Sequence, residues 1–176
     1  MTGDVGSAAG AQRAGESEGA RRAREALESS GIEHRILVAT ERANSLAEAA
    51  RQRGIEPRDI VKSLVVRRGS GDYVFVLVPG DREISWPKLR GHLGVSRLSM
   101  PPADKAKEAT GYERGTITPF GSTTAWPVIA DATVPGRTIS MGAGAHGTSV
   151  TLAADDLVQA LGAEVVDVTD PAPTPD

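Results

Sequence analysis

The sequence predicts an α/β (α+β) fold in which a mixed β-sheet of about seven strands packs against four or five helices. Segments with helix signals alternate with runs of β-branched residues along the chain. Some of these runs are joined by short turns and others by helices, which favours a mixed sheet. The 176 residues suffice for one hydrophobic core. Because aromatic residues make up only 3% of the chain, that core must consist mainly of Val, Ile, Leu and Ala.

Both ends of the chain are predicted to lie outside the folded domain. Residues 1–19 are rich in Gly, Ala, Ser and Glu and lack apolar periodicity, and residues 170–176 are rich in proline. Both compositions are typical of disordered tails. The single domain is therefore expected to span residues 20–169.

The helices are predicted from the signals at their ends. Ser45 and Glu48 form an S-x-x-E capping box, and Gly54 ends the same helix. Ser85 is expected to be the N-cap of another helix, with Pro87 in its first turn. The predicted helices, each ended by a glycine, span residues 20–31, 44–54, 85–94, 103–111 and 153–162.

The strands are predicted from short β-branched or alternating runs. Residues 61–68 and 73–79 are separated by GSGD, which predicts a hairpin. The other predicted strands span residues 33–38, 97–100, 126–131, 137–140, 148–152 and 164–168.

The composition excludes several kinds of site. The chain has no cysteine, which excludes disulfides, thiolate metal sites and a cysteine nucleophile. His34, His92 and His146 lack metal-ligand spacing, and no G-x-S-x-G nucleophile elbow is present. We therefore expect neither a metal nor a cofactor. No apolar run approaches the length of a membrane span and no secretory signal is visible, so the sequence predicts a cytoplasmic protein without a membrane partner.

The charge is unevenly distributed. The net charge of −3 argues against a general DNA-coating protein, but residues 55–120 carry eleven Lys/Arg against eight Asp/Glu. This excess is compatible with an anionic partner and equally with an ordinary solvated surface.

Lys62 lies in an apolar strand pattern. It shares one face with Leu64 and Val66, while Val61 and Ser63 take the other face, so both faces are expected to be buried. Lys62 either lies at the start of the strand and extends to water, or it is a fixed cation at the mouth of a cleft. In the second case it would bind a carboxylate, a carbonyl oxygen or a phosphate.

Residues 111–121, GYERGTITPFG, combine turn residues with apolar side chains. Pro119 fixes its own φ and biases Thr118 towards an extended conformation, while Gly115 and Gly121 permit tight turns. The loop is therefore predicted to be rigid. It is either a tight connection that buries its apolar side chains, or a wall whose backbone N–H groups bind a carbonyl oxygen and limit what enters a small pocket.

Residues 142–147, GAGAHG, form a third glycine-rich feature. They precede a predicted strand and no Lys-Ser/Thr follows, which excludes a nucleotide P-loop. Gly142, Gly144 and Gly147 would allow a ligand to approach the backbone closely. His146 is either a surface residue or a group that binds or titrates near neutral pH.

Four segments together resemble a known family. In this order along the chain, they resemble the YbaK-like aminoacyl-tRNA deacylases, which are related to the editing domain of bacterial prolyl-tRNA synthetases. The likeness extends from about Ile32 to Val168, and the segments that carry it are residues 59–66, 79–100, 109–121 and 142–168. The resemblance implies a compact fold with a mixed, barrel-like sheet. It also implies hydrolysis of the ester that joins a wrong amino acid to tRNA.

The resemblance also implies roles for particular residues. Lys62 matches the lysine regarded as essential and is expected to anchor the aminoacyl or terminal-adenosine end of the substrate. The loop from Gly115 to Pro119 is expected to line the aminoacyl pocket and to select the side chain. The expected substrate-binding residues are Ser63, Gly115, Thr116, Ile117, Thr118, Pro119, Gly121, Gly142, Gly144, His146 and Gly147. No protein nucleophile is implied, since positioning, water and groups of the substrate supply the chemistry.

The resulting hypothesis is trans-editing of mischarged tRNA. Ala145 and His146 stand where many relatives have a basic pair, so the substrate is left open, with Cys-tRNA(Pro) as the first hypothesis. The expected partner is the acceptor end of aminoacyl-tRNA, and prolyl-tRNA synthetase is a second partner to be tested. The alternative is a module that binds tRNA or a synthetase without turnover.

Overall fold

The structure is a computed structural model that describes residues 15–173. Its helices are α1 (Glu18–Ser30), α2 (Leu46–Arg53), α3 (Trp86–Leu93), α4 (Ala103–Thr110) and α5 (Ala154–Leu161). Its strands are β1 (His34–Val38), β2 (Ile60–Gly69), β3 (Asp72–Pro79), β4 (Arg82–Ile84), β5 (Val128–Asp131), β6 (Thr138–Gly142), β7 (Thr148–Ala153), β8 (Glu164–Val166) and β9 (Thr169–Pro171).

A seven-stranded mixed sheet organises the fold. Its strand order is β1-β7-β6-β2-β3-β5-β8. β1, β7 and β6 pair antiparallel, as do β2 and β3, whereas the pairs β6–β2, β3–β5 and β5–β8 are parallel. This confirms the predicted mixed α/β fold and the hairpin between β2 and β3. All seven strands of this sheet were predicted from the sequence.

A second, two-stranded sheet was missed. β4 pairs antiparallel with β9, whose last two residues lie in the segment predicted to be a C-terminal tail. The prediction was wrong for residues 170 and 171 because a three-residue polar strand has no detectable periodicity. Residues 174–176 lie outside the described part of the chain.

The predicted N-terminal tail is also too long. α1 begins at Glu18, two residues before the predicted start, because the Ser17 hydroxyl accepts a hydrogen bond from the Ala20 N–H. The Glu16 carboxylate binds Arg24 at 2.9 Å. Residues 1–14 lie outside the described part of the chain.

The strand predicted at residues 97–100 is absent, and only one bridge forms there. Ser99 makes an isolated antiparallel bridge to Arg67 through two backbone hydrogen bonds of 2.8 and 3.2 Å. Pro101 and Pro102 follow, and because proline lacks an N–H the pairing cannot extend.

Apolar side chains fill both faces of the central strands, as the pattern of β2 predicts. On one face, Val61 and Val65 pack with residues of α1 and α5 such as Leu27 and Leu157. On the other face, Val66 packs with residues of β3 and α3. The unpaired edge of β2 and its exposed residues Lys62 and Arg67 are left for polar interactions.

Asp131, at the end of β5, is a buried carboxylate that connects three segments. It accepts hydrogen bonds of 3.0 Å from the N–H groups of Thr133 and Val168, and one from the Thr133 hydroxyl. Burial by itself raises the pKa of Asp131, but these hydrogen bonds together outweigh it and hold the pKa below the usual range.

Asp131→Asn is expected to destabilise the fold by about 2–3 kcal/mol at pH 7, because an amide N–H₂ would face N–H or O–H donors. Since the folded-state pKa lies below the unfolded value, the carboxylate stabilises the fold above pH about 4. That contribution is lost as the pH falls through the folded-state pKa. Urea unfolding from pH 3 to pH 7 should show the two proteins converging at low pH. Exposed Asp104→Asn is the control, and a constant difference across this range would contradict the prediction.

Candidate active site

A cavity of about 690 Å³ opens where β2 and β6 separate. These parallel strands pair only at Ile60 with Ser140 and at Val61 with Met141. β2 continues beyond this point, and its edge is next engaged at Arg67 by the bridge to Ser99. The edge of β2 between these two contacts borders the cavity.

This edge presents unpaired backbone groups to the cavity. The Ile60 carbonyl accepts from the Gly80 N–H on the β3 side, so the antiparallel alternation turns the N–H and C=O groups of Ser63 and Val65 to the opposite edge. Both residues line the cavity. Among residues 15–173, neither has a strand partner on that edge, and the buried Ser63 hydroxyl has no hydrogen-bond partner. Because buried polar groups are normally paired, these groups are suited to bind a ligand.

The cavity wall is positively charged. Within the described chain, its charged lining residues are Arg53, Lys62 and Arg114, and no acidic residue is among them. Lys62 is exposed, and its amino group donates to the Arg82 carbonyl at 3.1 Å. Three cations around one opening favour an anionic ligand.

The loop from Gly115 to Pro119 presents alternate residues to the cavity. Gly115 and Ile117 line it, and Gly115 has a φ of +89°. The side chains of Thr116, Thr118 and Pro119, which do not line the cavity, are buried. The Thr116 hydroxyl donates to the Glu113 carbonyl at 2.7 Å.

Helix α1 holds this loop from behind. The guanidinium of Arg22 donates to the carbonyls of Gly111 at 3.0 Å and Gly121 at 3.2 Å. It also lies 4.6 Å from the centre of the Tyr112 ring. The Tyr112 hydroxyl donates to the Phe120 carbonyl at 2.6 Å. Burial raises the pKa of Tyr112, so it stays a protonated donor.

The glycine-rich turn of residues 142–147 forms the part of the wall next to this loop. Gly142, Ala145 and Gly147 line the cavity. The Gly144 N–H donates to the Thr116 carbonyl at 3.0 Å, which joins the turn to the loop. His146 is exposed, with Nε2 3.8 Å from a carboxylate oxygen of Glu113 at the surface.

Comparison with known proteins identifies this arrangement. The model of the aminoacyl-tRNA editing domain matches residues 40–160. The chain belongs to this family. It is an aminoacyl-tRNA deacylase, an ester hydrolase.

The editing domain has relatives within longer enzymes. The proline–tRNA ligase of Thermosipho melanesiensis is 39% identical over 87 residues, which are 49% of this chain and 15% of the ligase. That of Kosmotoga olearia is 35% identical over 98 residues, which are 56% of this chain and 17% of the ligase. The chain therefore spans less than a fifth of the length of these curated relatives.

Two crystal structures share the fold of the editing domain. A proposed trans-editing enzyme for prolyl-tRNA synthetase is 28% identical with a TM-score of 0.78, and the match covers 88% of this chain and 99% of that one. The hypothetical protein APE2540 is 26% identical with a TM-score of 0.77, and the match covers 85% and 99% of the two chains.

The structure brings together part of the predicted site. The predicted residues that line the cavity of the editing domain are Lys62, Ser63, Gly115, Ile117, Gly142 and Gly147. Those that lie behind the wall or on the rim are Thr116, Thr118, Pro119, Gly121, Gly144 and His146. The functional roles of both sets stay predictions.

Sequence reasoning missed other parts of the cavity wall. These lining residues include Arg53, Met100, Pro101, Pro102, Arg114, Ala145 and Thr148. Arg53 is the last residue of an amphipathic helix, where an arginine is expected to be exposed to solvent. No local pattern therefore predicts that it lines the cavity. Pro101 and Pro102 were the available sequence signal for this part of the wall, since two adjacent prolines stiffen a connection.

In residues 15–173 there is no helix long and apolar enough to cross a membrane. The same residues contain no cluster of three or more His, Asp or Glu side chains that could hold a metal ion.

Proposed function

We propose that the editing domain acts in trans on a tRNA(Pro) that carries a wrong, small amino acid, with Cys-tRNA(Pro) as the first candidate. The observation that carries this proposal is a cation-lined cavity on the open edge of β2, bordered by the loop from Gly115 to Pro119 and by the glycine-rich turn. Two facts about similar proteins support it. The matched relatives are proline–tRNA ligases, and one structural neighbour is a proposed trans-editing enzyme for prolyl-tRNA synthetase.

The open edge of β2 suits the part of the substrate that all aminoacyl esters share. The α-amino group would donate to a carbonyl of Ser63 or Val65, and the ester carbonyl would accept from an N–H of the same edge. Ile117 and Gly115 would then contact the amino acid side chain. Because a missing methylene changes binding by only about 1–3 kcal/mol, such a pocket works best as a second sieve that limits size.

Hydrolysis needs little more than orientation in this site. A water molecule attacks the ester carbonyl carbon, and backbone N–H groups stabilise the oxyanion that forms. The bond between this carbon and the ribose oxygen breaks, and the proton from the water passes to the ribose oxygen. The products are a free amino acid and a tRNA with a free terminal hydroxyl.

Lys62 is proposed to anchor the acceptor end. Lys62 lines the cavity, and in the free protein its amino group donates to the Arg82 carbonyl. A flexible lysine can leave this contact for an anionic or carbonyl group of the substrate. Because the side chain is exposed, its loss costs the fold little.

Lys62→Ala is expected to lower deacylation by at least about 100-fold while changing the free energy of unfolding by less than about 1 kcal/mol. The measurement is release of label from cysteinyl-, alanyl-, seryl- and prolyl-tRNA(Pro). Exposed Lys107→Ala, on α4 and outside the cavity wall, is the control. Selective release of one amino acid by the wild type would identify the substrate. Binding of tRNA without release would favour the non-catalytic module, and unchanged activity of Lys62→Ala would remove the role of Lys62.

The expected partners follow from the same proposal. The acceptor end of aminoacyl-tRNA is the substrate, and a complex with prolyl-tRNA synthetase is a further hypothesis. The cytoplasmic location expected from the sequence also stays a prediction.

A further inference from the structure

Arg53 is a partly buried cation in the wall of the cavity, and the reaction proposed above does not use it. It is the last residue of α2. Its guanidinium reaches the adjacent strand β6, where Nη1 donates to the buried Ser140 hydroxyl at 3.0 Å. Ser140 lies opposite Ile60, at the closed end of the gap between β2 and β6.

The positive charge of Arg53 has no acidic partner within the described residues. The ion pairs between residues 15 and 173 do not include it, and Ser140 is neutral. Burial lowers the pKa of Arg53, which is the direction expected of a cation that loses water without gaining a carboxylate. A partly desolvated charge of this kind is stabilised when an anion binds.

The geometry suits a phosphate group. A guanidinium has five N–H donors in a planar fork, and the bond to Ser140 uses one of them. The remaining donors can bind two oxygens of one phosphate, which is the characteristic interaction of arginine with phosphodiesters. The bond to the Ser140 hydroxyl holds the guanidinium of Arg53 in the cavity wall.

We propose that Arg53 binds the phosphodiester that precedes the terminal adenosine of the tRNA, and so positions the acceptor end for cleavage. This inference rests on the proposed function, because it assumes that the cavity holds an RNA 3′ end. The ester to be cut lies on the terminal ribose, so the first backbone phosphate is the nearest anion of the substrate. The glycine-rich turn adds no cation to the cavity wall, since its lining residues are Gly142, Ala145 and Gly147.

The test is a double-mutant cycle in which one change is made in the protein, at Arg53, and the other in the RNA, at its last phosphate. The probes are a fluorescent single-stranded RNA ending in CCA and the same RNA with a neutral methylphosphonate at its last linkage. We expect wild type to bind the neutral probe about tenfold more weakly, and Arg53→Gln to bind both probes with the same low affinity. Arg53→Lys should retain part of the difference, because it keeps the charge but loses the fork.

Arg51→Gln is the matched control, since Arg51 is an exposed arginine two residues earlier on the same helix. It should behave as wild type with both probes. With the unmodified probe, the slope of log affinity against log salt concentration should fall by about 0.7 in Arg53→Gln, the value for one phosphate of a single strand.

Three results would overturn the inference: equal binding of the two probes by wild type, an Arg53→Gln protein that still distinguishes them, or no binding of either probe. Thermal unfolding of each variant separates loss of the fold from loss of the contact. The proposed function is tested by a different measurement: it would be wrong if no amino acid were released from any charged tRNA. This assay measures binding alone.

Discussion

Replacing Gly144 by alanine is expected to destabilise the domain by about 2–5 kcal/mol. Gly144 has a φ of +90°, a left-handed conformation that costs other residues about 1–2 kcal/mol. A Cβ at this position would also overlap the carbonyl of Gly19 and lie 3.0 Å from the Tyr112 ring. Because the obstacle is backbone rather than a flexible side chain, overpacking adds about 1–3 kcal/mol.

Gly136→Ala is the matched control for this prediction. Gly136 has a φ of +87°, but an added Cβ would meet no atom within 4 Å. Its alanine variant should therefore show only the conformational cost. Urea unfolding measures both variants, and equal losses would contradict the packing argument.

Gly19→Ala examines the same contact from the other side. Gly19 lies in the first turn of α1 without a positive φ, and its added Cβ would overlap the Gly144 carbonyl. Alanine is otherwise the better helix former by about 1 kcal/mol. A destabilised Gly19→Ala protein would therefore report on the contact alone.

Arg22→Ala is expected to destabilise the domain by about 3 kcal/mol and to lower deacylation. The substitution leaves carbonyls of Gly111 and Gly121 without their charged donor and removes the cation from the Tyr112 ring. The loop between these two glycines carries the cavity wall, so it loses its attachment to α1. The measurements are thermal unfolding and amino acid release.

Arg21→Ala is the control for this substitution. Arg21 is the preceding residue of α1, half exposed and paired with Glu25 at 3.5 Å. An exposed pair of this type contributes at most about 0.5 kcal/mol. If Arg22→Ala were no less stable than Arg21→Ala, the role of Arg22 as the support of the loop would be wrong.

The fold could be predicted where its signals are local. Capping side chains and C-terminal glycines defined the helices to within about two residues, and β-branched runs identified every strand of the main sheet. The pairing of β4 with β9 could not be predicted, since it joins three-residue polar strands about 85 residues apart. Ser17 as the N-cap of α1 was overlooked because the surrounding composition is that of a tail.

The candidate site was predictable only in part. The rigid loop and the glycine-rich turn were found because Gly and Pro restrict the backbone in a way that is readable locally. The cavity itself arises because β2 separates from β6 after two paired residues, which is a property of the register and not of either strand. Arg53 lines this cavity from the end of α2, and nothing in its own segment indicates a role.

The contact between α1 and the glycine-rich turn limits how far the domain can be shortened from its N-terminal side. The family match starts at residue 40, whereas Arg22 and Gly19, which brace the loop and the turn, precede it in α1. A fragment trimmed to the matched region would keep every residue that lines the cavity and lose the helix that keeps two of its walls in place. We therefore expect the smallest unit that holds the cavity in shape to include α1, which begins 22 residues before the family match.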